Sequence, residues 1–444
     1  MDQALLNKIM KRGVANIIVE DEFRQRLEEG KPLRLKMGFD PSAPDIHLGH
    51  AVGLRKLRQL QDLGHKVVII VGDWTAQIGD PSGKSQTRPM LTHAEVLENA
   101  ETYLAQFFKI VDRSRAEIRW QSDWFGPFTL TDVLKLTSQF TVAQFLQRDD
   151  FAARFSANQP IAITELLYPL LQAYDSVEIE SDVEFGGTDQ MFNLLVGRDL
   201  QTQMGQRPQQ CFLMPLLPGT DGVQKMSKSL GNYIGIDEPA NDIFGKTMSL
   251  PDTMIVPYFE NLTDIPDAEL EEVRNVLANQ AGNPMDLKKQ LARDLVTQFK
   301  GTDAAGQAQA HFEQTVQKGQ MPTDLEDAEL SSRDRLTGGF LFDEFVNRAG
   351  AKVEDGIVVE DRDEAGIKAG DIVVDLARVV LGAGLASSMG EARRLVAQGS
   401  ISVDGTQIRP PDTGARVATN VRDGSVIQRG SRDYRRLRIR DSGG

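Results

Sequence analysis

His47-Leu48-Gly49-His50 places two imidazoles at positions i and i+3, and Lys225-Met226-Ser227-Lys228-Ser229 does the same with two ammonium groups. Residues at i and i+3 on a helix share a face. A helix N-terminus attracts phosphate through its free N–H groups and its dipole. Imidazoles there can donate to phosphoryl oxygens as charge builds, and Gly49 between them lets a planar base or ribose approach the backbone. The lysines lie among Gly222, Ser227, Ser229 and Gly231, a composition that predicts a mobile loop. Such lysines can close on a triphosphate and withdraw with pyrophosphate. Their charge offsets that developing on the α-phosphate and the leaving group. Taken singly, each motif has a plainer reading: surface or capping histidines, and a solvated lysine loop. Together, in this order, they suit binding of a nucleoside triphosphate and activation of its α-phosphate.

The elements around them fit that use. Leu33 to Phe39 alternates and reads as a strand, with Arg34, Lys36 and Gly38 on one face. Asp40 to Asp45 is turn chemistry. Leu48, Val52, Leu57, Leu60 and Leu63 are helix-spaced, and Gly64 is a stop. Lys66 to Gly72 is a continuous apolar run, expected to be a buried parallel strand. Strand, turn, helix and strand make a βαβ unit with an expected right-handed crossover. A second turn-rich segment, Gly79 to Lys84, is followed by Arg88. From Val133 to Leu171 the spacing is helical, with Phe140, Phe145, Leu146 and Phe151 making an apolar series that suits either core packing or a dimer surface. Val177 to Phe185 reads as a strand, Gly186-Gly187 as a break, and Thr188 as an N-cap. Cys211 to Leu217 reads as a strand ended by Pro218 to Gly222.

A chain of 444 residues implies two to four domains. Its 40% hydrophobic and 26% charged content is that of a soluble globular protein. No apolar run reaches the ~18 residues of a membrane span, and MDQALLNKIMKRG lacks the apolar core of a secretory signal. Cys211 is the only cysteine, which excludes an internal disulfide and a zinc site of paired cysteines. A cytoplasmic location is expected. The net charge of −14 argues against generic affinity for nucleic acid. The last 52 residues, however, hold eleven Arg, no Lys and five Asp. That basic end suits either selective contact with a polyanion or a solvated tail. Asp264 to Lys318 is helical and acidic, with Asn283-Pro284 as cap and first turn. Ser331 to Asp371 is mixed and linker-like. Beyond Ile372 come an apolar helix (Val373 to Leu381), a second helix (Met389 to Gln398) and a hairpin (Ile401 to Ile408) with an Asp-Gly turn.

The two motifs resemble the His-Ile-Gly-His and Lys-Met-Ser-Lys-Ser signatures of class I aminoacyl-tRNA synthetases. The flanks narrow the resemblance to the bacterial tyrosyl-tRNA synthetases. Gly38 to His50 is similar to that family's first motif and Gly79 to Lys84 to its next loop. Tyr168, Gln172 and Asp175 are similar to its pocket helix, Gly187-Thr188-Asp189-Gln190 to its Gly-Ser/Thr-Asp-Gln turn, and Gly382 to Ile408 to its S4-like end. The implied fold is α/β. A Rossmann-like parallel-sheet catalytic domain (1–235) carries a helical connective or dimer region at about 125–165. An α-helical anticodon-binding domain (236–330), a linker (331–371) and a small α+β S4-like RNA-binding domain (372–444) follow.

The resemblance also implies roles. His47, His50, Lys225 and Lys228 would serve the phosphates, with Lys84 and Arg88 as further cations. Gly38, Asp40, Gly49, Gly187, Asp189, Gln190, Met226 and Ser227 would contact ATP or the adenylate. Tyr168, Gln172 and Asp80 would hold the α-ammonium of tyrosine, with Thr75 and Gln190 nearby. Asp175 would accept from the phenol hydroxyl, and Tyr174 would pack nearby. A polar stripe such as Tyr168, Gln172 and Asp175 costs free energy to bury without a partner, and a zwitterionic amino acid with a phenol would satisfy it; a solvated helix face is the plainer reading. The better-known branch has a tyrosine two residues before Gly-Phe-Asp, where this chain has Lys36, as does a second bacterial branch. Lys36, on the face of Gly38, is expected at the pocket mouth, so the phenol contact rests mainly on Asp175. A site that hydrogen-bonds a substrate hydroxyl rejects the analogue lacking it by about 10⁴–10⁵ without editing, a magnitude for which tyrosyl-tRNA synthetases against phenylalanine are themselves the reference case. The expected ligands are L-tyrosine, ATP with Mg²⁺ and tRNA(Tyr), with no tightly bound cofactor, no protein metal site, no membrane and a homodimeric state.

Three rivals share parts of the pattern. Tryptophanyl-tRNA synthetases share the Tyr-to-Asp spacing but typically have Asn for the second His and lack the S4-like end. A small-molecule adenylate ligase with H-x-G-H, such as a pantothenate synthetase relative, needs no RNA module. A non-enzymatic RNA-binding protein has no use for an adenylation site. Pyrophosphate exchange with tyrosine, then tryptophan, separates them.

Overall fold

The structure is a computed structural model that describes residues 3–41, 46–81, 92–317, 325–331, 334–338, 340–360, 367–409, 417–430 and 433–440. The chain divides into two compact units, Met1–Gln309 and Ala310–Gly444.

The first unit is built on six strands: β1 Asn16–Ile18, β2 Arg34–Phe39, β3 Lys66–Val71, β4 Ala116–Trp120, β5 Val183–Gly187 and β6 Gln210–Met214. Their order is β1-β6-β5-β2-β3-β4. β1 runs antiparallel to β6, and every other pair is parallel. The apolar run of β3 is buried from Val67 to Val71, as a parallel strand covered on both faces must be. The Leu48–Asp62 helix joins β2 to β3 and buries Leu48, Val52, Leu57 and Leu60. Gly64, at φ 94, turns the chain after the helix. From β2 the sheet grows one way through β3 and β4 and the other way through β5 and β6. That reversal opens a crevice at the carboxyl ends of β2 and β5, where open α/β sheets bind ligands.

Several elements differ from expectation. Val177 to Phe185 is not one strand, because the Ile163–Glu178 helix continues through its first two residues; Glu180, at φ 49, turns the chain and β5 starts at Val183. Thr188 begins a one-turn 3-10 helix rather than capping the next α-helix, which Gln190 precedes. The 133–171 stretch is broken into Leu130–Thr137, Val142–Phe145 and Asp149–Ser156 before Ile163–Glu178. Capping pairs Thr129–Asp132 and Thr141–Gln144 start two of these pieces. The Asn283 and Pro284 signal holds: Asn283 Oδ1 accepts from Met285 N at 3.0 Å.

The second unit holds a four-stranded sheet, β8 Val353–Glu354, β9 Ile357–Val358, β10 Ile372–Asp375 and β13 Ala418–Val421, in the order β13-β10-β9-β8. A second sheet, in the order β12-β11-β14-β15-β7, is made of β7 Asp327–Ser331, β11 Ile401–Val403, β12 Thr406–Gln407, β14 Val426–Arg429 and β15 Asp433–Arg440. The linker-like stretch is folded in its described part: the Phe340–Ala349 helix and the β8–β9 hairpin pack Phe345 and Val358 against Val373. Val373 to Leu381 is not one helix. β10 leads into the Leu376–Gly382 helix, with Asp375 Oδ1 accepting from Ala377 N. Asp404 and Gly405, both at positive φ, make the β11–β12 turn. β7 pairs in parallel with β15, so part of the basic end is neutralised internally: Arg438 meets Asp327 at 3.1 Å, Arg440 meets Glu329 at 2.6 Å and Arg435 meets Glu326 at 3.0 Å. Among the described residues no helix is long and apolar enough to cross a membrane.

Candidate active site

A cleft of about 700 Å³ opens at the carboxyl ends of β2, β3, β5 and β6. Both basic motifs border it, and main-chain bonds hold them together. Leu48 N donates to Ile234 O at 2.9 Å and Ile236 N donates to Ile46 O at 3.0 Å. His47 and Gly235 thus form an antiparallel bridge, which brings the chain just after the lysine segment beside the start of the histidine helix.

His47 is the N-cap of the Leu48–Asp62 helix and its N–H donates to His50 Nδ1 at 3.3 Å. The two rings stack with centroids 3.9 Å apart. Burial lowers His47 to about 2 and His50 to about 4, with the Lys228 charge acting in the same direction on both. Both are neutral imidazoles at pH 7. An acceptor Nδ1 leaves the His50 proton on Nε2, so this ring is a neutral donor beside the helix N-terminus. A Cβ on Gly49 would come within 3.0 Å of the His47 ring and 3.6 Å of Met226 Cβ, so glycine here also makes room for the histidine.

The lysine segment, expected from its composition to be a mobile loop, is hydrogen-bonded at its base. Met226 is buried and its N–H donates to Leu217 O at 2.8 Å. Asn232 Oδ1 accepts from Ser227 N at 2.8 Å, while Asn232 Nδ2 donates to Asp221 Oδ2 at 2.7 Å and to Lys225 O at 3.2 Å. Lys225 Nζ lies 2.9 Å from Asp189 Oδ2. Lys228 Nζ stands 6.0 Å from the centre of the Tyr233 ring.

The opposite wall carries the polar helix face. Tyr168 Oη donates to Asp40 Oδ2 at 2.8 Å, and Thr75 Oγ1 lies 2.6 Å from Asp40 Oδ1. A Cβ on Gly72 would fall 2.4 Å from Asp40 Oδ1, so the residue that follows β3 must be glycine for this cluster to form. Gln190 Nε2 donates to Asp80 Oδ2 at 2.7 Å. Asp175 accepts from Gln121 Nε2 at 2.9 Å and from Trp124 Nε1 at 3.2 Å. Burial raises Asp175 to about 7, against the pull of the Lys36 charge and of those two donors.

Gly38, Gly187 and Gln172 also line the cleft, with Ser227 at its rim. Lys36 does not. It lies beneath the pocket helix, ion-paired to Glu184 at 2.9 Å, because the Ile163–Glu178 helix covers that face of β2. Tyr174 packs on Phe125 and Phe128 behind the wall. Lys84 and Arg88 lie outside the described residues. Gln121, Trp124, Gly72 and Asn232 carry no motif, and sequence reasoning missed them.

Residues 28–317 match the family model described as tRNA synthetases class I (W and Y). The chain is 52% identical over 429 residues to a tyrosine–tRNA ligase of Dehalococcoides mccartyi, covering 97% of each. This chain belongs to the class I tyrosine–tRNA ligases. A tyrosine–tRNA ligase of Thermotoga maritima is 48% identical over 401 residues, 90% of each chain. Among solved structures, tyrosyl-tRNA synthetase from Archaeoglobus fulgidus, complexed with L-tyrosine, is similar at a TM-score of 0.57 and 25% identity, over 69% of this chain and 98% of that one. The C-terminally truncated mitochondrial tyrosyl-tRNA synthetase of Aspergillus nidulans shares the fold at a TM-score of 0.59 and 19% identity, over 70% of this chain and 94% of that one. In this member of the tyrosine–tRNA ligases, the position two residues before Gly-Phe-Asp is a buried lysine.

Proposed function

We propose that the cleft activates L-tyrosine with ATP, giving tyrosyl-adenylate and pyrophosphate, and then passes the tyrosyl group to the 3′-terminal adenosine of tRNA(Tyr). One observation carries the reading: His47, His50, Lys225 and Lys228 border the same cleft as Tyr168, Gln172 and Asp175. Neutral imidazole and charged ammonium donors for a triphosphate thereby face a polar pocket shaped for a small amino acid.

In the first step the tyrosine carboxylate oxygen attacks the α-phosphorus in line and the bond to the bridging oxygen breaks. The carboxylate is already ionised at neutral pH, so no general base is needed. Catalysis is positioning and charge stabilisation. His50, through Nε2–H, and His47 donate to phosphate oxygens, while Lys225 and Lys228 meet the leaving pyrophosphate. Gly38, Asp40, Gly49 and Gln190 adjoin the adenylate, with Gly187, Asp189, Met226 and Ser227. Asp80, Thr75, Tyr168 and Gln172 surround the α-ammonium, and Asp175 accepts from the phenol hydroxyl. Mg²⁺ enters as part of the ATP substrate. In the second step a ribose hydroxyl of the terminal adenosine attacks the tyrosyl carbonyl and AMP leaves.

The same reading takes 236–330 as the anticodon-binding region and 372–444 as an S4-like RNA-binding module in a cytoplasmic homodimer. Dimerisation has support in the surface: among the described residues, five of the six most exposed large apolar side chains fall between Leu130 and Ile163. Pyrophosphate exchange tests the activity. Exchange is expected with L-tyrosine and not with L-tryptophan; exchange with neither, or with tryptophan alone, would sink it.

A further inference from the structure

Lys36 and Glu184 stand opposite each other in register on β2 and β5. Nζ lies 2.9 Å from Oε1, and the side chains are 0% and 1% exposed. All three ammonium donors are used, since Nζ also reaches Gln172 O at 2.7 Å and Ser176 Oγ at 2.7 Å. Glu184 grips the same helix: Oε1 accepts from Gln172 Nε2 at 3.0 Å and Oε2 accepts from Ser176 Oγ at 3.2 Å. Gln209 Nε2 donates to Oε2 from the far side, and a Cβ on Gly197 would fall 2.7 Å from that nitrogen. The Met191–Gln203 helix is therefore kept bare where it crosses the pair.

A buried ion pair is a weak source of net stability, because desolvation offsets most of its attraction. Its partners supply a different reason for it. Gln172 and Ser176 lie on the helix that also carries Tyr168 and Asp175. Holding the Gln172 carbonyl, the Gln172 amide and the Ser176 hydroxyl at once fixes that helix in rotation and in height above the sheet. We infer that the Lys36–Glu184 pair is a positioning element of the tyrosine pocket, acting through Gln172 and the helix backbone to hold Asp175 at the phenol hydroxyl and so to set discrimination against phenylalanine. The inference rests on the reading of the cleft as a tyrosine site. Neither residue lines the cleft, so the pair acts without touching substrate. The charged groups facing Asp175 are Lys36 from β2 and Glu184 from β5; Gln121 and Trp124 face it as uncharged donors. Of the two charges Lys36 acts more strongly and favours the carboxylate, the form that accepts the phenol proton.

The variant Lys36→Met with Glu184→Gln removes both charges, strands neither, and leaves an amide for Gln172. In tyrosine-dependent pyrophosphate exchange its KM for tyrosine is expected to rise about tenfold or more, and its preference for tyrosine over phenylalanine to fall by as much, with KM for ATP unchanged. The pH midpoint of tyrosine binding should move upward, which loosened packing alone would not do. A folded double variant with unaltered tyrosine KM, discrimination and midpoint overturns the inference. If that protein does not fold, Ser176→Ala, which cuts one link to the helix and keeps the pair, must shift KM and discrimination the same way; unaltered values there overturn it equally. Absence of tyrosine-dependent exchange in the unsubstituted protein would instead overturn the reading of the cleft.

Discussion

Lys225 and Asp189 meet across the mouth of the cleft, Nζ to Oδ2 at 2.9 Å. The contact ties the lysine segment to the turn after β5, where the adenylate is proposed to lie. Both side chains are partly exposed, so such a pair is worth at most about 1 kcal/mol. A triphosphate can therefore take the lysine from the carboxylate at small cost.

The base of the lysine segment should matter as much as its charges. Asn232 holds Ser227 N and Lys225 O from a buried position. Asn232→Ala leaves these groups unpaired, a loss of about 1–3 kcal/mol. Steady-state exchange should show a raised KM for ATP and an unchanged KM for tyrosine, and the Ser227 amide should lose hydrogen-exchange protection. A KM for ATP equal to that of the parent protein speaks against this role.

His50 is read as a neutral donor through Nε2. Glutamine can place an amide N–H near that position and alanine cannot. His50→Ala should slow adenylate formation by about 10²–10³, and His50→Gln should retain clearly more activity. Equal losses in single-turnover assays would show that the donor is not what counts.

Stability should depend on pH with opposed signs from groups at the cleft. His47 and His50 sit at about 2 and about 4, below their ordinary 6.5. The unfolded chain takes up protons that the folded one refuses, so their contribution is present above pH 6.5 and falls away as pH drops. Asp175 sits at about 7, above its ordinary 3.8, so its contribution is present at low pH and is lost as pH rises toward 7. Between pH ~4.5 and 6.5 the two partly cancel. Asp175→Asn removes the opposing part, and its stability should rise with pH more steeply than that of the parent, by up to about 1.4 kcal/mol per pH unit. Urea melts at pH 5 and 6 decide this; parallel curves for the two proteins exclude it.

Local patterns made much of the first unit legible. Alternation gave β2, the apolar run gave β3, and turn residues marked the entry to the histidine helix. Where reading failed, two patterns overlapped or the partner was remote. The tail of the Ile163–Glu178 helix also alternates, and β10 merges with the apolar helix behind it. β7 is short and acidic and forms only because β15, about a hundred residues on, pairs with it. Alternation placed Lys36 on the correct face of β2, but only packing shows that a helix covers that face. Gln121 and Trp124 reach Asp175 from a segment without any motif, and Asn232 works through main-chain atoms.

The convergence of the two basic motifs on one triphosphate is tested most directly by Lys225→Ala with Lys228→Ala. Tyrosine-dependent pyrophosphate exchange and equilibrium tyrosine binding would be measured on the same preparation. The expected result is exchange lowered by about 10² or more with tyrosine affinity nearly unaltered. An unchanged exchange rate would contradict the assignment of these lysines to the phosphates and, with it, the joining of the two motifs in one site.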